Sequence, residues 1–174
     1  MANLQRKRLL LVKGSFEPFG GGERDLINNL EAWSKFFDLS VATLHPNKEL
    51  IEKLNDLKIP LFSPVSNWTY SRGIFSEIFA SSSRNASKKW YSMLSLTNQG
   101  VGLSTLFSNI DAVNITTGMA SLEILPLIPS NIPIHTYMHE PNRGLHSNDL
   151  HFDVDGTPKQ NLKLTNFLLS KQRR

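Results

Sequence analysis

Three segments of the sequence hold residues whose types and spacing suit ligand chemistry: the glycine-rich loop from Gly14 to Gly22, the pair Thr117-Gly118, and His139-Glu140-Pro141. Glycine lets a backbone approach a ligand closely, and unpaired N–H groups at the start of a helix favour an anion. Gly21 and Gly22 are therefore candidate anion-binding positions. The same spacing also serves a tight turn with close strand–helix packing and no ligand. A dinucleotide site wants Gly-x-Gly-x-x-Gly and an acidic residue ending the second strand, where this chain has Leu44-His45. A Walker-type phosphate loop requires Gly-Lys-Ser/Thr, and Gly22-Glu23-Arg24 is not that. NAD and ATP are disfavoured on both counts. His139 reads either as a structural histidine or as a catalytic one. Glu140 reads as an acceptor for ligand hydroxyls or as a helix cap, and His135, four residues before His139, as core. No side chains assemble into a metal site, and the lack of cysteine excludes disulfides and thiolate ligands.

The elements that must position these residues alternate. Residues 8–13 form a short, nearly continuous apolar run, as expected of a strand buried on both faces of a parallel sheet. Residues 14–22 are rich in glycine and read as a loop. Helical periodicity then takes over, with Leu26, Leu30, Trp33 and Phe37 in one stripe and Glu23 and Asp25 in the first turn. Residues 39–44 read as a second strand. Asn47 is placed to cap a helix through Leu57 whose buried side carries Leu50, Ile51 and Leu54. Residues 59–62 read as a third strand. Residues 63–109 read as one or two helices with a loop at Ser81-Ser82-Ser83. A fourth strand is expected over 111–117, a helix over 119–128 and a fifth strand over 132–139. A turn-rich stretch at 142–158 then precedes a helix over 161–171. The pattern is that of a doubly wound α/β domain: a mostly parallel, Rossmann-like sheet with helices on both faces. In such a sheet, ligands bind beyond the carboxyl ends of the strands, where all three segments fall.

A chain of 174 residues with 40% hydrophobic and 20% charged residues is long and apolar enough for one globular domain. The net charge of +4 and pI near 9.4 attract anions in general, but much of the excess sits near the two ends. No RNA-binding aromatic motif, zinc finger or basic helix accompanies it, so nucleic acid is disfavoured as a partner. The apolar run at 9–12 is too short for a signal-peptide core or a membrane span. Without a secretory signal, the Asn-x-Ser/Thr triplets at Asn67, Asn85 and Asn114 read as chance matches. The expected location is cytoplasmic.

Residues 9–44, with Gly20-Gly21-Gly22-Glu23-Arg24 opening a long helix, resemble the start of family 4 glycosyltransferases, whose first strand is typically followed by Gly-Gly-x-Glu-Arg. Residues 111–118 resemble that family's fourth strand and residues 132–143 its fifth. The fifth is similar to relatives carrying His-Glu-Pro-Pro-Arg, many of which act on lipid-linked or surface glycans. Asn142 stands here in place of the second proline. The resemblance implies a two-Rossmann-domain (GT-B) enzyme that transfers a hexose-like sugar from a nucleotide sugar with retention of configuration. It implies no metal or other cofactor. Gly21 and Gly22 would offer N–H groups to the donor diphosphate, and His139 would act at the sugar. Glu140, Arg143, Gly118 and the segment 63–109 would face a glycan or lipid-linked acceptor. A lipid-linked acceptor would bring peripheral contact with a membrane.

The family's second, nucleotide-gripping Rossmann-like domain has no counterpart in these residues, and the sequence stops within its last expected helix. The expectation is thus a single N-terminal, acceptor-side domain over 1–174, truncated and inactive in isolation. A non-catalytic Rossmann-like binding or scaffold module is the alternative.

Overall fold

The structure, a computed structural model, describes residues 6–17, 19–69 and 81–138. The helix expected over 161–171 and the turn-rich stretch before it lie outside the described residues. Among the described residues, five parallel strands form one sheet in the order β3-β2-β1-β4-β5. They are β1 (Lys7–Val12), β2 (Phe37–Ala42), β3 (Leu61–Phe62), β4 (Ala112–Thr116) and β5 (Ile134–Tyr137). Strand β1 is central. The chain first adds strands on one side of it and then crosses to add β4 and β5 on the other. Strand order therefore reverses between β1 and β4, and this α/β domain has its switch point there.

Side chains of β1 and β2 alternate between two cores, as a period of two requires. Leu10, Val12 and Ala42 join one core, while Leu11, Leu39 and Val41 join the other. The second core is closed by α1 (Gly21–Ser34), through Leu26, Ile27 and Leu30, and by α2 (Lys48–Leu57), through Leu50 and Leu54. Asn47 caps α2 as expected: its side-chain oxygen accepts from the Leu50 N–H at 2.9 Å. The first core is closed by α3 (Ser81–Met93), α4 (Leu103–Phe107) and a 3₁₀ helix (Leu122–Leu127). Helices thus cover both faces of the sheet.

Several local expectations are corrected. Helix α1 stops at Ser34, and Phe37 opens β2 instead of extending the helical stripe. Ile51 of α2 is 39% exposed, because the sheet takes up only the Leu50–Leu54 row, one turn apart. Ser82 and Ser83 are not a loop but lie in the first turn of α3, whose buried row is Ala86, Trp90 and Met93. Hydroxyls suit that end of a helix. The helix expected over 119–128 is a 3₁₀ segment. Pro126 lies inside it, and a proline has no N–H for an α-helical ladder. All four residues of β5 are exposed, His135 included, and among the described residues β5 is the outer strand on its side of the sheet. His135 is therefore not core. Its Nδ1 lies 3.0 Å from Asn114 Nδ2.

Candidate functional site

The carboxyl ends of β1 and β4 meet at the switch point, and the chain on either side is packed tightly there. Residues 14–16 are less of a loop than their composition suggests. Gly14, Ser15 and Phe16 are buried, and they continue the sheet by pairing with the segment after β2. Leu44 N–H donates to Gly14 O at 3.0 Å, and Phe16 N–H to His45 O at 2.9 Å. Phe16 then fills the core beneath α1.

On the β4 side, Thr117 and Gly118 lead into the turn at Met119 and Ala120. The N–H of Gly14 donates to the buried Ser121 hydroxyl at 2.9 Å, tying the two sides together. A side chain at Gly14 would collide with the backbone of Met119 and Ala120. Gly14 is thus fixed by close approach of two backbones.

Lys13 lies between these sides. Its side chain is 2% exposed, and its ammonium meets Glu23 Oε1 at 2.9 Å and donates to Thr117 O at 3.3 Å. Gly118 leaves room for it, since a Cβ there would sit 2.8 Å from the Lys13 Nζ. The other oxygen of Glu23 accepts from the Gly20 N–H at 3.0 Å, at the start of α1. Partial burial pushes the Glu23 pKa up. The hydrogen bond and charge of Lys13, with the N–H groups of Glu23 and Gly20, outweigh it and hold the pKa below the ordinary value.

Gly21 and Gly22 are the first two residues of α1, where helix geometry leaves N–H groups without intrahelical acceptors. Open space surrounds Gly21 where a side chain would be. A 14-residue helix adds the equivalent of about half a positive charge at this end. The arrangement can hold an anion on backbone donors. The chain matches no protein-family model, no curated protein and no solved structure.

Of the residues expected in a site, Gly118 and the start of α1, which holds Gly21 and Gly22, are linked at the switch point through Lys13 and Glu23. β5 ends on the same edge of the sheet, with Thr117 N–H donating to Tyr137 O at 2.9 Å. His139, Glu140 and Arg143 lie outside the described residues. Among the described residues, no three His, Asp or Glu side chains converge as metal ligands. Within the segment 63–109, a cavity of about 380 Å³ is lined by Asn67, Thr69, Asn85, Lys88, Lys89 and Ser92 beside Trp68. The Lys89 ammonium is held by Ser66, at 2.6 Å from Oγ and 2.9 Å from O. Sequence reasoning missed Lys13. Its signal was a basic residue directly after an apolar strand, where a buried ammonium needs a built partner.

Proposed function

We propose that this chain supplies the N-terminal, acceptor-side domain of a retaining glycosyltransferase that moves a sugar from a nucleotide sugar to a glycan or lipid-linked acceptor. The observation that carries the reading is the run of glycines opening α1 at the switch point, tied to the Thr117–Gly118 segment through Lys13. In this reading the N–H groups of Gly21 and Gly22 stabilise the departing diphosphate, a task of electrostatic preorganisation. A second Rossmann-like domain, in this polypeptide or another, grips the base and ribose from the opposite side. His139 serves the sugar, while Glu140, Arg143 and Gly118 serve the acceptor. The cavity beside α3 offers amides and hydroxyls that suit acceptor hydroxyls, with two ammonium groups for an acidic substituent. No helix among the described residues is long and apolar enough to cross a membrane. In this reading a lipid-linked acceptor brings peripheral contact with the membrane surface.

One observation favours a second reading, a non-catalytic Rossmann-like binding or scaffold module. Glu23 already satisfies Lys13 and the Gly20 N–H, so part of the capacity for anions at the start of α1 is met from within. Calorimetric titration with uridine, guanosine and adenosine diphosphate sugars separates the two, with amide shifts followed at 20–23 and 118. The enzyme reading expects weak binding localised to those amides, and transfer only once a nucleotide-binding domain is supplied. Silence at those amides with every nucleotide would leave the module.

A further inference from the structure

We infer that Lys13 is a positioning residue that clamps the start of α1 to the end of β4 and so sets where the Gly21 and Gly22 N–H groups point. Its ammonium reaches both sides of the switch point at once, the Glu23 carboxylate on α1 and the Thr117 carbonyl after β4. Glu23 passes the restraint on through its second oxygen to the Gly20 N–H, the residue immediately before the two glycines. The chain of contacts is unbroken: Thr117 O, Lys13, Glu23, Gly20.

Three features argue against a lysine that is merely tolerated. Burying an ammonium is costly, and a residue with nothing to hold would be better replaced by an apolar one of similar volume. Gly118 gives up its side chain where the ammonium sits. The glycines themselves have little intrinsic stiffness, so an N-terminus built from Gly20, Gly21 and Gly22 needs an external restraint to hold one geometry. Residues 14–16 are fixed by the sheet and α1 from Leu26 onward by its core, which leaves the first turn of α1 as the part the clamp must hold.

The clamp rests on the proposed function only for its ligand, a diphosphate, and the test keeps the two apart. The 174-residue chain is compared with Lys13→Met and with the double variant Lys13→Met/Glu23→Gln. Melting, amide exchange at Gly20 and Arg24, and titration with inorganic pyrophosphate are measured on each. Lys13→Met alone leaves Glu23 without its cation and should melt lower. The double variant removes both charges and should recover most of the melting temperature. The clamp predicts that the recovered variant still exchanges at Gly20 and Arg24 at least about tenfold faster than wild type, relative to β2. Pyrophosphate should bind it at least about tenfold more weakly. Wild-type exchange at those two amides in the double variant would overturn the clamp and make Lys13 a space-filling residue. If wild type itself binds no pyrophosphate, the diphosphate reading falls, and the exchange rates still decide the clamp.

Discussion

Three glycines near the switch point answer to different physical demands, so alanine should sort them. At Gly14 an added methyl meets rigid backbone, that of Met119 and Ala120. Gly14→Ala should cost about 3 kcal/mol or more in urea unfolding, at the upper end of overpacking effects. At Gly118 the methyl meets the tip of Lys13, which yields more easily than backbone but is pinned by Glu23. Gly118→Ala should cost about 1–2 kcal/mol. At Gly21 nothing stands in the way, and alanine is a better helix former than glycine. Gly21→Ala should leave stability within about 0.5 kcal/mol of wild type or raise it, while weakening any anion that approaches the backbone closely. Equal losses at all three positions would mean that the packing around them is not as described.

At the scale of elements, the ends of helices carry the measurable signals. Asn47 gives α2 its cap, so Asn47→Ala should lower stability by about 1 kcal/mol. On α3, Trp90 is fully buried and its indole N–H donates to Ala120 O at 2.7 Å, joining the helix to the turn after β4. Trp90→Phe keeps most of the apolar bulk but orphans that carbonyl, and should cost about 1–3 kcal/mol. The start of α1 should be sensitive to acid. The Glu23 pKa is lower in the folded chain than in the unfolded one, so its ionisation favours folding. That contribution is fully present above the unfolded value of about 4.3 and is lost as pH falls through the lower folded value. Glu23→Gln lacks it at every pH. The stability gap between wild type and variant should therefore narrow on acidification from neutral pH to below 4, as followed by urea unfolding across that range. A gap that stays constant would mean that Glu23 is not held by Lys13 in solution.

For the molecule as a whole, the proposed function predicts that this positively charged chain, with backbone donors at the start of α1, binds a diphosphate in a salt-dependent way. The Debye length shortens from about 30 Å at 0.01 M salt to about 8 Å at 0.15 M. Pyrophosphate affinity should fall across that interval to the extent that the net charge contributes, leaving the share due to the local N–H groups. Calorimetry at the two salt concentrations separates these parts. Affinity independent of salt would place all of the binding in local hydrogen bonds.

The alternation of apolar runs with helical periodicity was enough to establish an α/β chain with a parallel sheet. The period of side-chain burial is a local property of strands and helices, so it is written directly in the residue order. Asn47 as a cap and the glycines at the start of α1 were legible for the same reason, since caps and turns act over three or four residues. What residues far apart in sequence do to one another was not legible. The sequence marked Gly118 as unusual, but only the fold shows that its missing side chain makes room for Lys13, 105 positions away. It marked residues 14–22 as a single loop, although pairing with His45 draws the first three into the sheet. It treated His135 as core because the strand pattern does not say which strand will lie outermost. Lys13 went unnoticed because an ammonium's burial depends on a carboxylate delivered by another element. Local pattern decided which elements form; the crossing from β3 to β4 decided which of their ends meet.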